Sequence, residues 1–311
     1  MRIRTLAAVL AVAVIGLVPA RTEADAPRHQ RPFADFDRNR SSDPALWDQR
    51  TGDWRLGIGC NDPRLAVCPY SHGNLRGGPG AVAVPGDYDG DGFADMALFE
   101  PAGIWWIKGL SDGDARMVAF GRPDDIPVPA DYDGNGTTDV AVYRPADGTW
   151  HVRVDDAGEE EQVTVFGAPG DRPVPGDYDG DGSADRAVFR PAGGNWIVLG
   201  STEGFSVRQW GLGDDKLVPA DYDGDGRTDP AVFRPSTGHW WVLPSDGSGH
   251  YVVALGRGDD WLVPADYDGD GRAEIAVYQE TTPEGRWVIN ERGPLNFGLP
   301  GEIPVLAAQL A

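Results

Sequence analysis

The chain repeats itself. The segment DYDGDGRTDPAVF at 221–233 has near-copies at 87–99 (DYDGDGFADMALF), 131–143 (DYDGNGTTDVAVY), 177–189 (DYDGDGSADRAVF) and 266–278 (DYDGDGRAEIAVY). Their first aspartates stand at 87, 131, 177, 221 and 266, so the spacings are 44, 46, 44 and 45 residues. A fainter copy, DFDRNRSSDPALW, begins at Asp35, 52 residues before the first full one. Such a fixed period constrains the fold more than any local propensity, because each unit must be one supersecondary element that buries its faces against its neighbours.

The unit at 126–167 reads IPVPADYDGNGTTDVAVYRPADGTWHVRVDDAGEEEQVTVFG. An apolar stretch, IPVPA, leads into the acidic loop. DVAVYR then alternates as a half-buried strand does, RPADG turns, TWHVRV alternates again, DDAGEE turns and QVTVFG closes the unit. That is a pattern of four short strands with no helical period. The 43 glycines and 26 prolines suit the many turns it needs. The reading is all-β: a β-propeller of four-stranded blades, with a β-solenoid as the less suitable alternative because its coils have shorter periods.

Six units fit between residues 31 and 301. Seven blades would need about thirty residues more than these units leave. EIPVLAAQL at 302–310 resembles DIPVPADYD at 125–133 without the acidic loop, while the first unit starts QRPFADFD and lacks the apolar strand. The two ends of the chain are therefore expected to complete one blade together and close the ring. Residues 25–311 form a single propeller domain on this reading.

Arg2 and Arg4 precede an apolar run from Leu6 to Val18, followed by small-residue sites at VPA and TEA. This is the pattern of a signal peptide over residues 1–24, cleaved after Ala20 or Ala24; a membrane anchor would need about 20 apolar residues. The expected location is secreted, extracellular or at the cell surface, with no membrane span and as a monomer. The balance of 27 Lys plus Arg against 49 Asp plus Glu gives a net charge of −22. Nucleic acid and anionic membranes, which recruit positive charge, are poor partners for it. Cys60 and Cys68, in CNDPRLAVC, are read in an exported chain as one local disulfide, with two free thiols as the alternative. A zinc site would need further ligands.

In DYDGDGRTD, side-chain oxygens fall at loop positions 1, 3, 5 and 9, with glycine at position 6 for a sharp left-handed bend. With a carbonyl from position 7, the loop supplies the six to eight hard oxygens that calcium takes. Magnesium prefers a tighter octahedral shell, and zinc would want His or Cys, which no loop contains. An EF-hand places a Glu at the twelfth position on a helix; here the twelfth residues are Leu98, Val142, Val188, Val232 and Val277, inside a strand. The plainer alternative, an exposed acidic turn without an ion, must accept strong repulsion among four carboxylates, five times over.

FGAP at 166–169 stands nine residues before Pro175, and FG, WG or LG pairs at 120, 210, 255 and 297 keep the same offset. With the acidic loops, this pattern resembles FG-GAP repeats, as in the integrin α-subunit propeller and the VCBS-type repeats of exported bacterial proteins. The resemblance covers nearly all of residues 25–311. It implies a calcium-bearing propeller that serves adhesion or binding. Carried over residue by residue, it makes Asp87, Asp89, Asp91 and Asp95 the ligands of one loop, and Asp131, Asp133, Asn135 and Asp139 those of the next. Asp177, Asp179, Asp181 and Asp185 follow, then Asp221, Asp223, Asp225 and Asp229, then Asp266, Asp268, Asp270 and Glu274. The first loop keeps Asp35, Asp37, Asn39 and Asp43 as a weak set, because Arg40 replaces its glycine.

A ring of tryptophans repeats as well: Trp54, Trp105, Trp150, Trp196, Trp240 and Trp287. Packing between blades is the bland explanation. Trp106 and Trp241 follow directly and face the other way, and His239 adjoins Trp240; these three are the candidates for ligand contact because the repeat does not dictate them. GLSDG at 109–113 spells G-x-S-x-G, but a nucleophile elbow needs a strand-to-helix turn. His29, His72, His151, His239 and His250 form no metal-ligand spacing. RGD at 257–259 falls where GRPDD stands at 121–125, so it reads as turn template. Two function classes follow: a non-enzymatic adhesion or binding module for a glycan or an extracellular protein, and a calcium-dependent polysaccharide lyase or hydrolase on a propeller. The evenness of the repeats favours the first.

Overall fold

A computed structural model of the protein describes residues 34–59, 71–110, 115–154, 161–280 and 283–305. The signal-peptide segment 1–24, His29 and the Cys60–Cys68 pair lie outside the described residues. Chain order gives β1 (Ala45–Asp48), β2 (Asp53–Leu56) and β3 (Ser71–Asn74); β4 (Val82–Ala83), β5 (Met96–Glu100), β6 (Ile104–Lys108) and β7 (Arg116–Ala119); β8 (Ile126–Pro127), β9 (Val140–Arg144), β10 (Thr149–Arg153) and β11 (Glu161–Val165). The second half continues with β12 (Arg172–Pro173), β13 (Arg186–Arg190), β14 (Asn195–Leu199) and β15 (Phe205–Gln209); β16 (Lys216–Leu217), β17 (Ala231–Arg234), β18 (His239–Val242) and β19 (Tyr251–Ala254); and β20 (Trp261–Leu262), β21 (Ala276–Gln279), β22 (Arg286–Ile289), β23 (Leu295–Asn296) and β24 (Ile303–Pro304).

These strands make six four-stranded antiparallel sheets, the blades of a propeller. Five are consecutive in sequence, and the sixth is the seam. There β24 joins β1 with Leu46 opposite Pro304 and Trp47 opposite Ile303. The chain's two ends thus share the first blade, as the missing apolar strand of the first unit required. Among the described residues, no helix is long and apolar enough to cross a membrane.

One sequence expectation needs correcting. The second strand of a unit reads as half-buried, yet Val140, Ala141, Val142 and Tyr143 of β9 are all buried. The reason is blade stacking: a strand in the middle of a blade is covered on both faces by the blades on either side. Val140 and Val142 pack with Val84, Tyr88, Phe99 and Trp105 of the second blade, while Ala141 and Tyr143 join Trp150 in the core of their own. The third strand keeps its alternation: Trp150 and Val152 are buried and His151 is half-buried. All six repeated tryptophans are at most 1% exposed. Each indole N–H that donates reaches the carbonyl closing its own blade, as Trp105 Nε1 does to Phe120 O at 2.9 Å. Full burial of a large apolar side chain stabilises by roughly 1.5–3 kcal/mol, and a buried indole keeps that gain best where its N–H finds an acceptor. The fourth strands form the rim and expose Val165, Phe205 and Val207.

Candidate functional site

Five acidic loops join the short first strand of a blade to its second strand, and the loop from Asp35 leads into β1, whose short partner is β24. Each loop's path is written by its own carboxylates. In the second blade, Asp87 accepts from the N–H of Gly90 at 2.7 Å and of Gly92 at 3.0 Å. Asp89 accepts from Asp91 N–H, and Asp91 from Phe93 N–H. Asp95 reaches back to Tyr88 N–H at 2.9 Å. Gly90 and Gly92 sit at φ 74° and 89°, left-handed values that explain glycine at both places. The tyrosine at loop position 2 holds the other end: Tyr88 O–H donates to Val84 O at 2.7 Å, and Tyr132, Tyr178, Tyr222 and Tyr267 do the same in their blades. Sequence reasoning passed over this tyrosine, although its recurrence in five loops was the signal.

The carboxylates of a loop converge. Oxygens of Asp266, Asp268, Asp270 and Glu274 lie within 4.8 Å of one another, as do those of Asp131, Asp133 and Asp139, of Asp177, Asp179 and Asp185, of Asp87, Asp89 and Asp91, and of Asp35, Asp37 and Asp43. Such clusters could hold a metal ion. The donor set fits a hard cation, and two further observations agree. Asp95 Oδ1 and Asp179 Oδ1 are buried without a hydrogen-bond partner among the described residues, a position that costs free energy unless something positive faces the oxygen. Burial first, and then the charges of Asp89, Asp87 and Asp91, push the Asp95 carboxyl up to about 7. Burial does the same for Asp229 and Glu274, each raised to about 7, and for Asp185, raised to about 6, with loop neighbours adding to it.

The loops also touch each other. The N–H at position 8 of each loop donates to the carbonyl at position 1 of the loop before: Ala94 to Asp35, Thr138 to Asp87, Ala184 to Asp131, Thr228 to Asp177, Ala273 to Asp221 and Ser42 to Asp266, at 2.5–2.8 Å. The last bond closes a circle of six. The acidic loops are therefore one continuous annulus, a fact that no single repeat could reveal.

A second surface lies between the blades. Turns between blades carry an acid that accepts from a turn N–H; at three of them it is gripped by an arginine fork from the second strand of the next blade, and at Asp260 by Gln279. Arg144 binds Asp125 with Nε and Nη2, both at 2.9 Å, and Arg190–Asp171 and Arg234–Asp215 repeat the pair. At RGD, Arg257 N–H donates to Asp260 at 2.9 Å just as Arg122 N–H donates to Asp125, which agrees with the turn-template reading. Gly109 and Leu110 of GLSDG leave β6 toward β7, with no helix to make an elbow; residues 111–113 lie outside the described ones.

The three candidate contact residues do not form one site. Trp106 packs toward the core of the first blade, and its Nε1–H donates to Glu100 at 2.9 Å. Trp241 packs toward the fourth blade, with Arg234 5.0 Å over its ring and His250 stacked at 6.4 Å. His250 also lies 5.3 Å from Trp210. His239 shares the face of Trp241 on β18, and its ring Nδ1 lies 2.9 Å from Thr237 O. Sequence reasoning overlooked His151, which lines a cleft of about 270 Å³ with Arg144 and Glu161. Aligning the residue after each repeated tryptophan would have shown it, with Arg55, as one of two polar exceptions.

Residues 221–277 match the family model described as FG-GAP-like repeat. No curated protein matches the chain significantly. Among solved structures, a lectin of Agrocybe aegerita, described as recognising non-reducing terminal N-acetylglucosamine, is similar at 18% identity and a TM-score of 0.52, over 87% of this chain and 82% of that one. AofleA from Arthrobotrys oligospora is similar at 11% identity and a TM-score of 0.52, over 89% and 90%. At these identities the likeness is one of fold.

Proposed function

We propose, on the premise that the chain is a six-bladed propeller of FG-GAP-type repeats, that it is an exported, calcium-braced module that binds glycans without transforming them. The observation that carries the reading is the division of labour between the two surfaces. The annulus is dictated by the repeat and is engaged with itself. Asp87, Asp131, Asp177, Asp221 and Asp266, with the acids at positions 3, 5 and 9 of their loops, would hold calcium there, and the ion supplies the positive charge that crowded carboxylates need. The clefts between blades carry what the repeat leaves free, including the half-buried ring of Trp241 and the exposed ring of His250, whose faces suit sugar rings. Specificity in a rigid scaffold resides in such variable positions. The fold shared with a lectin supports testing glycans before proteins.

A glycan array probed with the calcium-loaded protein tests this reading. Saturable binding is expected, weakened by Trp241→Ala with the melting curve still cooperative, and lost on chelation together with the fold. Exclusive binding of a protein partner, or turnover of a polysaccharide by the calcium-loaded protein, would overturn it.

A further inference from the structure

The residue after each repeated tryptophan points toward the preceding blade. Trp106 meets the core of the first blade, Ile197 that of the third, Trp241 that of the fourth and Val288 that of the fifth. In the third blade the residue is His151, and here the cleft facing the second blade has an open volume of about 270 Å³. An imidazole is shorter than the indoles of Trp106 and Trp241, and the cleft beside it stands open. It is also drawn to one side. His151 Nδ1 lies 2.5 Å from Glu161 Oε1, and Nε2 lies 2.7 Å from Arg144 Nη1.

That chain of contacts fixes its own polarity. Arg144 can only donate, so His151 Nε2 accepts from it and the Nδ1–H donates to Glu161. Arg144 is itself held by its fork on Asp125, whose side chain is 1% exposed. One edge of the cleft is therefore an ordered series of polar groups that ends at Glu161, whose side chain is 45% exposed and has a second oxygen to offer. Across the cleft, Ile104, Ala119 and Phe120 of the second blade offer apolar surface, beside the glycine backbone of Gly103 and Gly121 and the cation of Arg122.

We propose that this cleft between the second and third blades binds the terminal ring of a neutral saccharide. The inference rests on the glycan reading above and names its site and ligand class. A pyranose has the same two sides, hydroxyls around its edge and C–H groups across its face. The volume lies just below the ~300 Å³ at which drug-sized pockets begin, enough for one ring. The charge of Arg144 is cancelled by Asp125, Glu161 faces the opening, and the protein carries −22 overall. An acidic sugar would meet repulsion from Glu161 and from the net charge, against the single cation of Arg122.

The probes are the methyl glycosides of glucose, galactose, mannose, fucose and N-acetylglucosamine, titrated against the calcium-loaded protein and followed by NMR shifts. At least one is expected to saturate. His151→Trp, which puts into this cleft the residue found in the second and fifth blades, should weaken that binding more than tenfold. Glu161→Gln, an exposed substitution that cannot cost the fold, should weaken it several-fold; melting curves check both variants. Binding unchanged by either substitution overturns the cleft but leaves the glycan reading standing, as does array binding without any response to the single-ring probes. Binding restricted to acidic sugars overturns the ligand class. No response to any probe and none on the array overturns both the cleft and the glycan reading.

Discussion

The first acidic loop and the fourth-blade loop follow the same path with different residues. In the loop from Asp177 to Asp185, Gly180 and Gly182 take φ of 75° and 92° and donate their N–H groups to Asp177 at 2.6 and 2.8 Å. In the loop from Asp35 to Asp43, Arg38 and Arg40 stand at the same places with φ of 60° and 68°. Arg40 N–H still donates to Asp35 at 2.8 Å, and Asn39 N–H does so at 3.1 Å. The neighbouring loops still dock on either side through Ala94 and Ser42. A left-handed arginine costs ~1–2 kcal/mol over glycine, so the bend is imposed by the carboxylate hydrogen bonds and by the ring, and glycine only makes it cheap.

What differs is the charge. Two guanidinium groups accompany the Asp35 loop, and Arg38 lies 5.0 Å over the ring of Phe93 in the next loop. Asp37 already accepts from Gly59 N–H at 2.9 Å. The Asp177 loop keeps Asp179 Oδ1 buried and unpartnered. The first loop is thus shaped like a metal site with two arginines in place of its glycines, and it closes the annulus.

Removing calcium should have the largest effect on this contrast. With extracellular-type affinity near ~0.1 mM and ~2 mM calcium, each filled loop adds about 1.8 kcal/mol. Five filled loops would together approach the stability of an ordinary domain. Chelation is therefore expected to lower the melting temperature steeply, with recovery by calcium and a weaker recovery by magnesium. Mass spectrometry of the native protein should count five ions. A sixth ion, held as tightly, would erase the distinction between the two loops, and an unchanged melting curve would falsify the structural role of the metal.

The next effect is on pH. Asp95 and Asp229 are raised to about 7 from 3.8, and Glu274 to about 7 from 4.5, in each case by burial first. A carboxyl raised on folding contributes stability below its unfolded value and loses it as pH climbs through its folded value. The chelated protein should accordingly become less stable as pH rises from about 4 to about 7. Calcium displaces those protons and should flatten that slope. Asp43 in the first loop is pushed further, to about 8, by burial and then by Asp37. With calcium present, a residual loss of stability up to about pH 8 should remain and come from this loop alone. Thermal melts across this range in calcium and in chelator would show it; identical profiles in both would count against the assignment.

The smallest effect concerns the backbone. Arg40→Gly relieves a left-handed side chain, and after the entropy cost of glycine it should stabilise the chelated protein by about 1 kcal/mol. The same substitution removes a positive charge beside three carboxylates and should raise calcium affinity in that loop. A denaturant titration gives the first quantity, and the ion count gives the second. Loss of stability would mean that the Arg40 side chain makes a contact worth more than the strain.

Much of this molecule is written in short range. The strands, the turns, the acidic loops and the number of blades follow from alternation and turn chemistry within about 45 residues, because hydrogen bonding in a hairpin and burial of alternate side chains are local in sequence. Even the seam between β1 and β24 was legible, since one unit lacked what the chain's other end supplied. Three things were decided only by the tertiary structure. Stacking of blades buried both faces of strands such as β9, which alternation alone reads as half-exposed. Closure of the ring joined six separate loops through the hydrogen bonds from Ala94 round to Ser42. Finally, contact with the preceding blade decided that the residue after a repeated tryptophan packs against that blade's core, as Trp106 and Trp241 do, or lines an open cleft, as His151 does. The physical reason is common to all three: the atoms that meet belong to different repeats, so their fit depends on two units at once and cannot be read from the pattern of either.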